Sequence, residues 1–383
     1  MKEKQGRIFY LDFIRVLAIF LVIFIHVSAI DTTLHIGSTQ WQITRILNYL
    51  AHVSVPMFFM ISGALLLSNP RTESISYTWK KRIPRVVIPF VAWSLLSTFF
   101  IALYAHSFDL GGALKMYAQF LYQPVSPTLW FMYPLIGLYV LSPVLRTFAK
   151  KASTKMLVYI TSIWLITNSL MPTLSPFLPK SIMHALEFNP ASSFYLVGGF
   201  AGYFILGYLI TRLDVSKISY WALILIFLIC LFAGDAYSTA YPKTNDMWNQ
   251  YYVTSIFVLI MSLSFYLILQ KLGQRTQSVG VKKTFAFFSP LVFGIYLVHN
   301  ILILFLEHWF MANLPYQGLL ATFTRYFAVA ILASLIIWLL SLIPGINYIL
   351  TGTRGGIGKN EYHYNNRDSS TDHISDDPLH SAE

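Results

Sequence analysis

Residues 8–30, IFYLDFIRVLAIFLVIFIHVSAI, decide the fold of this 383-residue chain. The stretch is long enough to cross the hydrocarbon core of a membrane as an α-helix, which takes about 20 apolar residues. It is also longer than the ~7–15-residue apolar core of a secretory signal peptide. It contains Asp12, Arg15 and His26, which such a core does not carry. We therefore interpret it as a membrane span that is retained.

Nine further apolar stretches follow the first one. With it, they give ten predicted spans at 8–30, 46–68, 84–105, 129–146, 156–172, 192–211, 218–235, 251–270, 286–306 and 319–343. The whole chain is 56% hydrophobic and 11% charged, whereas soluble domains carry about 25% charged residues. The sequence therefore predicts an all-α fold, a polytopic integral membrane protein with about ten transmembrane helices.

The formal net charge of +11 does not indicate a nucleic-acid-binding protein. Nucleic-acid binding needs basic residues clustered on one folded face, and here they lie between long apolar runs. Cys230 is the only cysteine, so a disulfide framework or a thiolate metal cluster within one chain is excluded. We expect no metal site and no nucleic-acid partner.

The distribution of Lys and Arg predicts the orientation in the membrane. With the N-terminus inside, 21 of the 27 basic residues fall on the inner side and five on the outer side. Only Arg15 is placed within a span. Arg325 falls near the outer end of the predicted span 319–343 and is counted with the outer side. Loops that stay in the cytoplasm are enriched in Lys and Arg, so both termini are expected to be cytoplasmic. The predicted parts are a cytoplasmic tail, 1–7, a transmembrane domain, 8–345, and a cytoplasmic tail expected to be disordered, 346–383.

Arg15 and His26 lie on one face of the first span. Eleven residues turn a helix through about 1100°, close to three full turns, and raise it by about 16 Å. A cation at the inner mouth and an imidazole deeper on the same face suit a long anionic ligand that enters from the cytoplasm. Two other interpretations stay open: an intrahelical Asp12–Arg15 pair at the membrane boundary, and a buried histidine whose hydrogen bonds are satisfied.

A second basic group begins the third span, in WKKRIPRVVIPF at 79–90. Arg82 and Arg85 are three residues apart and therefore share a face where the helix starts. Guanidinium groups bind phosphate through two parallel hydrogen bonds. We predict that the pair holds a nucleotide phosphate beside Arg15. The excess of basic residues in inner loops is the alternative explanation.

Five motifs in this order carry a resemblance to a known family. They are LDFIRVLAIFLVIFIHVS at 11–28, VPMFFMISGALLL at 55–67, Arg82-x-x-Arg85, LWFMYPLIGLYVLSPVLR at 129–146 and GIYLVHN at 294–300. The chain resembles the acyltransferase 3 family, membrane-bound acyltransferases that O-acetylate bacterial surface glycans. The resemblance covers about residues 8–343. It is to stand-alone members, without an esterase-like domain after the last span. Some relatives carry a histidine just before the LWF motif, where this chain has Thr128.

The resemblance implies a function and a location. The expected enzyme transfers an acetyl or short acyl group from acyl-CoA to a hydroxyl of a surface polysaccharide or of its lipid-linked precursor. Acetyl-CoA would be a cosubstrate, with no permanently bound cofactor. The other expected partners are the glycan acceptor and membrane lipids, and the expected location is the bacterial cytoplasmic membrane.

The resemblance also implies roles for particular residues. The expected catalytic residues are His26, Arg15 and Asp12; the expected cofactor-binding residues are Arg15, Arg82 and Arg85; and the candidate substrate residues are Trp130, Tyr133, Tyr296 and His299. His26 would either take the hydroxyl proton or accept the acyl group, and the sequence leaves both open. A transporter or flippase for a glycan or organic acid is the alternative function. Transporters often show internal repeats and paired broken helices, neither of which the sequence contains.

Overall fold

The computed structural model describes residues 8–33, 36–104, 110–174, 177, 194–240, 255–313 and 318–353. Within these ranges the regular structure is helical and no strand is present. The predicted fold class, an all-α polytopic membrane protein, is therefore confirmed. The helices are α1 (Phe9–Ser28), α2 (Thr39–Ala51), α3 (Ser54–Ser68), α4 (Pro84–Tyr104), α5 (Leu110–Ala118), α6 (Met132–Lys151), α7 (Thr154–Leu165), α8 (Phe194–Ile210), α9 (Tyr220–Ala240), α10 (Ile256–Arg275), α11 (Val279–Phe288), α12 (Val292–Asn313), α13 (Leu319–Ser341) and α14 (Ile346–Thr351).

The number of spans is close to the prediction. Among the described residues, eight helical segments are long and apolar enough to cross a membrane. The pair α11 and α12 makes a ninth if it is counted as one span bent by 59°. Helix α8 coincides with the sixth predicted span but is shorter. Each of the ten predicted stretches therefore has a helical counterpart, and eight or nine of them meet the length and composition of a span.

Helix α1 is the central helix of the bundle. It packs against α3, α10, α12 and α13, and it is apolar apart from Asp12, Arg15, His26 and the terminal Ser28. Ile14 and Ile23 have no solvent-accessible surface. A helix that is apolar all round is expected to be buried rather than amphipathic. Polar groups on α1 are therefore enclosed by protein.

The closest helix crossing joins α3 to α8. A Cβ atom added at Gly63 would collide with the backbone of Phe204, and one added at Gly207 would collide with the backbone of Met60. Small residues let membrane helices approach in this way, because packing and not water exclusion drives their association. Gly63, which follows Ser62 in the motif at 55–67, therefore allows the close packing of α3 against α8.

Alanine at Gly63 is expected to destabilise the bundle, because backbone atoms cannot move aside as a flexible side chain can. Overpacking of this kind costs roughly 1–3 kcal/mol. Gly199→Ala, on α8, is the matched control, since the nearest atom to its added Cβ is 4.0 Å away. Thermal unfolding in detergent should show a lower midpoint for Gly63→Ala and an unchanged or higher one for Gly199→Ala. Equal midpoints would contradict the close crossing.

One sequence-based expectation about charges is wrong. Arg15 is not the only basic residue within a span, because Arg325 is buried in α13 and its Nη2 lies 2.5 Å from Oδ2 of Asp31. Arg45 on α2 likewise pairs with Asp235 at 2.8 Å. A buried guanidinium is tolerated when a carboxylate pairs with it. Both arginines had been assigned to the outer side.

The C-terminal tail also begins later than predicted. Residues 346–351 form α14, which packs against α4, and Trp93 Nε1 donates a hydrogen bond to the carbonyl of Leu350 at 2.8 Å. Gly352 has a φ of +68° and lies against the carbonyl of Arg85. Glycine suits this left-handed conformation and this close approach. The predicted tails 1–7 and 354–383 lie outside the described residues.

Candidate active site

A polar cluster lies near the beginning of α1. Ser289 Oγ donates a hydrogen bond to Oδ1 of Asp12 at 2.6 Å and accepts one from Arg15 Nη1 at 3.2 Å. Arg15 Nη1 is itself 3.6 Å from Oδ1 of Asp12. The serine thus links the two charged groups, and the predicted Asp12–Arg15 pair is present as part of a three-residue cluster.

Ser289 reaches this position because the chain breaks there. It stands between α11 and α12, which are bent by 59° relative to each other, and Pro290 follows it. Proline removes a backbone donor and its ring clashes with the preceding turn, which ends or kinks a helix. Sequence reasoning missed Ser289, because no feature of the predicted span 286–306 indicated its contact with α1.

His26 lies on α1 near the end opposite to Arg15. The ring centroids of His26 and His299 are 5.2 Å apart, and the planes are tilted by 41°. His299 is fully buried on α12, with Nδ1 hydrogen-bonded to the carbonyl of Tyr296. Its Nε2 has no hydrogen-bond partner among the described residues. The structure therefore brings together two predicted site residues from the first and last motifs.

Arg15 and His26 face the same neighbour. Arg15 contacts Ser289 at the start of α12, and His26 contacts His299 within it. The shared face that the eleven-residue spacing predicts is present. The face between them is not polar, however, because Ile19 and Val22 lie on it and are 0% and 4% exposed. A closed apolar section therefore separates the guanidinium from the imidazoles.

The LWF segment docks beside His299. Tyr296 donates its hydroxyl hydrogen to the backbone carbonyl of Thr128 at 2.5 Å. Asn300, the residue after His299, donates a hydrogen bond to Oγ of Ser126 at 2.7 Å. Both contacts hold the 3₁₀ turn Pro127–Phe131 against α12. Thr128, where some relatives have histidine, contributes its carbonyl to this contact.

The other two candidate substrate residues lie in aromatic surroundings. Trp130 is half-buried, and its ring centroid is 5.6 Å from that of Phe200. Tyr133 donates a hydrogen bond to the carbonyl of Phe120 and packs against Phe90 at 5.4 Å. The contacts described for both residues are thus packing contacts, whereas Tyr296 is directly connected to His299.

Three arginines meet around one tyrosine where α4 begins. Arg82 lies over the ring of Tyr77, 5.6 Å from its centroid. The charges of Arg71 and Arg85 also act on this tyrosine. The structure therefore brings Arg82 and Arg85 together, as predicted from their spacing. Arg71 was missed, because in the sequence it stands eleven residues before Arg82 and outside the motif.

No carboxylate among the described residues pairs with this arginine cluster, Arg71, Arg82 and Arg85. The nearby Glu73 is engaged elsewhere, 3.3 Å from Arg146 Nε and 3.4 Å from Lys150 Nζ. Guanidinium groups that are held close together without a counter-charge repel each other. An anion bound among the three arginines would offset this repulsion.

The arginine cluster and Arg15 lie at the same end of the bundle without touching. Gly352 lies against the carbonyl of Arg85, and an added Cβ there would be 3.5 Å from Phe293 in the first turn of α12. Ser289, which bonds Arg15, is four residues earlier. The first turn of α12 thus separates the two basic groups. We call this end of the bundle the basic end and the end with His26 and His299 the histidine end.

The described helical bundle thus holds an arginine–carboxylate pair near one end of α1 and two neighbouring imidazoles near the other end. The family model described as an acyltransferase domain, that of the acyltransferase 3 family, matches residues 8–342. The chain belongs to that family and is a membrane acyltransferase. No curated protein and no solved structure matched the chain.

Proposed function

We propose that this membrane acyltransferase moves an acetyl or short acyl group from acyl-CoA to a hydroxyl of a bacterial surface polysaccharide or its lipid-linked precursor. The observation that carries the proposal is the arrangement on α1: a guanidinium at the basic end and an imidazole at the histidine end, both facing α12. A donor with phosphates at one end and a thioester at the other fits these two chemistries.

The basic end would bind the nucleotide of the donor. Arg15, Arg82 and Arg85 supply planar guanidinium groups, which suit phosphate oxygens, and Arg71 adds a fourth. The excess of basic residues in the inner loops supports a cytoplasmic basic end and cytoplasmic termini. The donor would then enter from the cytoplasm, where acyl-CoA is made. The membrane is, on this proposal, the bacterial cytoplasmic membrane.

The histidine end would carry out the transfer. A sugar hydroxyl is a weak nucleophile at neutral pH, and an imidazole within hydrogen-bond reach accelerates its attack by taking its proton. His26 serves either as that base or as a carrier of the acyl group. Asp12 holds Arg15 in place through Ser289. Because Ile19 and Val22 close the face between the two ends, the donor arm enters only when α1 and α12 separate.

The acceptor sugar is proposed to bind beside His299. Tyr296 is connected to His299 and to the 3₁₀ turn of the LWF segment, so the sugar would lie near that turn. Trp130 and Tyr133 have aromatic faces on which a sugar ring can stack, and they stay candidate substrate residues.

Replacing both Arg82 and Arg85 by Ala is expected to raise KM for acetyl-CoA about a hundredfold to ten-thousandfold, with a smaller change in kcat. Each charge-assisted hydrogen bond to phosphate contributes roughly 1.5–3 kcal/mol. Lys80→Ala and Lys81→Ala, which remove exposed charges from the same segment, are the matched controls. Initial rates with acetyl-CoA and with acetyl-pantetheine, which lacks the nucleotide, measure the effect. Equal losses with both donors would contradict phosphate binding at this pair.

Membranes that contain the protein and radiolabelled acetyl-CoA test the function itself. The proposal expects label in glycan or lipid-linked sugar, and none in membranes without the protein. A transporter or flippase would instead move unmodified glycan across the membrane with no transfer of label. Mass spectrometry of surface glycans from wild-type and deletion strains would then identify the acceptor.

A further inference from the structure

His299 occupies an unusual position for a polar side chain in a membrane protein. It is 0% exposed, lies within α12, and presents an Nε2 atom with no hydrogen-bond partner among the described residues. An unsatisfied polar group in the hydrocarbon region costs several kcal/mol. Polar groups kept inside a membrane bundle in this way commonly serve a ligand or a proton path.

The neighbours of His299 fix which of its nitrogens carries the proton. Nδ1 is hydrogen-bonded to the carbonyl of Tyr296, and a carbonyl oxygen can only accept. The hydrogen of the neutral ring is therefore on Nδ1, and Nε2 carries the lone pair. Nε2 of His299 is thus able to accept a proton from a ligand and is unable, in the neutral ring, to donate one.

The ring of His26, on α1, lies next to the ring of His299. The two ring centroids are 5.2 Å apart, and the described residues contain no hydrogen bond between the rings. Rings this close can both contact a single hydroxyl.

We propose that the acceptor hydroxyl binds between His26 and His299 and that Nε2 of His299 takes its proton; this rests on the proposed acyl-CoA-dependent function. The hydroxyl oxygen forms a bond to the acyl carbon while its hydrogen moves to Nε2. The bond between the acyl carbon and sulfur breaks, and its electron pair leaves on sulfur. The resulting thiolate takes the proton back, which gives free thiol and restores neutral His299.

This assignment leaves His26 on the acyl side of the bound oxygen. There it donates an N–H to the carbonyl oxygen, on which negative charge develops. Two contacts keep His299 in position: Tyr296 hydrogen-bonds to the carbonyl of Thr128, and Asn300 hydrogen-bonds to Ser126. The position of His299 that the reaction needs is therefore held by the 3₁₀ turn on one side and by α1 on the other.

The test uses two nucleophiles with the full-length protein in membranes. Hydroxylamine attacks thioesters without help from a base, whereas a sugar hydroxyl needs one. His299→Gln should lower acetyl transfer to the glycan about a hundredfold to ten-thousandfold, the range for loss of a general base. It should keep the enzyme-dependent formation of acetyl hydroxamate within about threefold of wild type. Thr161→Val, on α7, removes another buried polar atom with no hydrogen-bond partner among the described residues, and this control should keep both activities.

Each other outcome has a definite meaning. Parallel loss of both reactions in His299→Gln, with normal expression and an unchanged melting temperature, would overturn the base assignment. If that variant fails to fold, His299→Asn replaces it, with the same comparison of nucleophiles. Full glycan transfer by either variant would also overturn the assignment. Absence of transfer from acetyl-CoA to any nucleophile in the wild type would instead refute the proposed function.

Discussion

His26→Gln is expected to lower acyl transfer by about a hundredfold to ten-thousandfold while the protein still folds. Every role proposed for His26, as base, acyl carrier or N–H donor to the acyl carbonyl, belongs to a ring nitrogen that glutamine does not supply, and positioned imidazoles contribute about that factor. The residue is half-buried at the histidine end and 5.2 Å from His299. Glutamine keeps a comparable volume and a polar tip, so the packing of α1 is expected to survive.

The measurement is the initial rate of label transfer from acetyl-CoA at saturating donor, together with KM for the donor. An unchanged KM with a greatly reduced kcat would indicate loss of a group that acts on the reacting atoms. Asn48→Ala is a useful comparison, because Asn48 bonds to the carbonyl of Ile25 and to Ser28, on either side of His26, without belonging to the site. A His26→Gln enzyme with wild-type kcat would exclude His26 from the chemistry.

Arg15→Leu is expected to abolish activity and also to destabilise the protein. Removing Arg15 takes the guanidinium away from the buried Asp12 carboxylate, which is 4% exposed and accepts a hydrogen bond from Ser289. Breaking a buried ion pair costs roughly 3–5 kcal/mol, and the lower end applies because the Arg15 side chain is 27% exposed. Loss of activity alone would therefore not separate the two effects.

The double variant Asp12→Asn with Arg15→Leu separates stability from function. Neutralising both members removes the unpaired charge, so the thermal midpoint should recover most of the loss seen in Arg15→Leu. Transfer from acetyl-CoA should not recover, because the guanidinium that binds the donor is still missing. Recovery of both properties would show that Arg15 only balances Asp12. Recovery of neither would point to a packing role for the arginine.

The fold class could be predicted from the sequence because each membrane helix is recognised from its own apolar stretch. Ten apolar stretches predict ten helices, and each has a counterpart in the described chain. The same holds for the common face of Arg15 and His26, since helical geometry within α1 determines it. The bend at Ser289 was not anticipated, although Pro290 stands at the break.

The contacts between helices could not be predicted in the same way. Ser289 reaches Arg15 across 274 positions of sequence, and His299 meets His26 across a similar separation. Helical periodicity carries no information about which helix faces which. For the same reason Arg325 is counted on the outer side from the sequence, although Asp31 pairs with it inside the bundle. The apolar closure at Ile19 and Val22 was also missed, because spacing alone places two polar residues on a face without describing the residues between them.

The most direct test is a structure of the protein in lipid with a non-hydrolysable acetyl-CoA analogue. The account predicts the nucleotide phosphates at Arg15, Arg82 and Arg85, and the carbonyl carbon within about 3.5 Å of His26, the separation of groups poised to react. It also predicts that Ile19 and Val22 move apart from α12 to admit the donor arm. An analogue bound with its acyl group away from His26 and His299 would contradict the account.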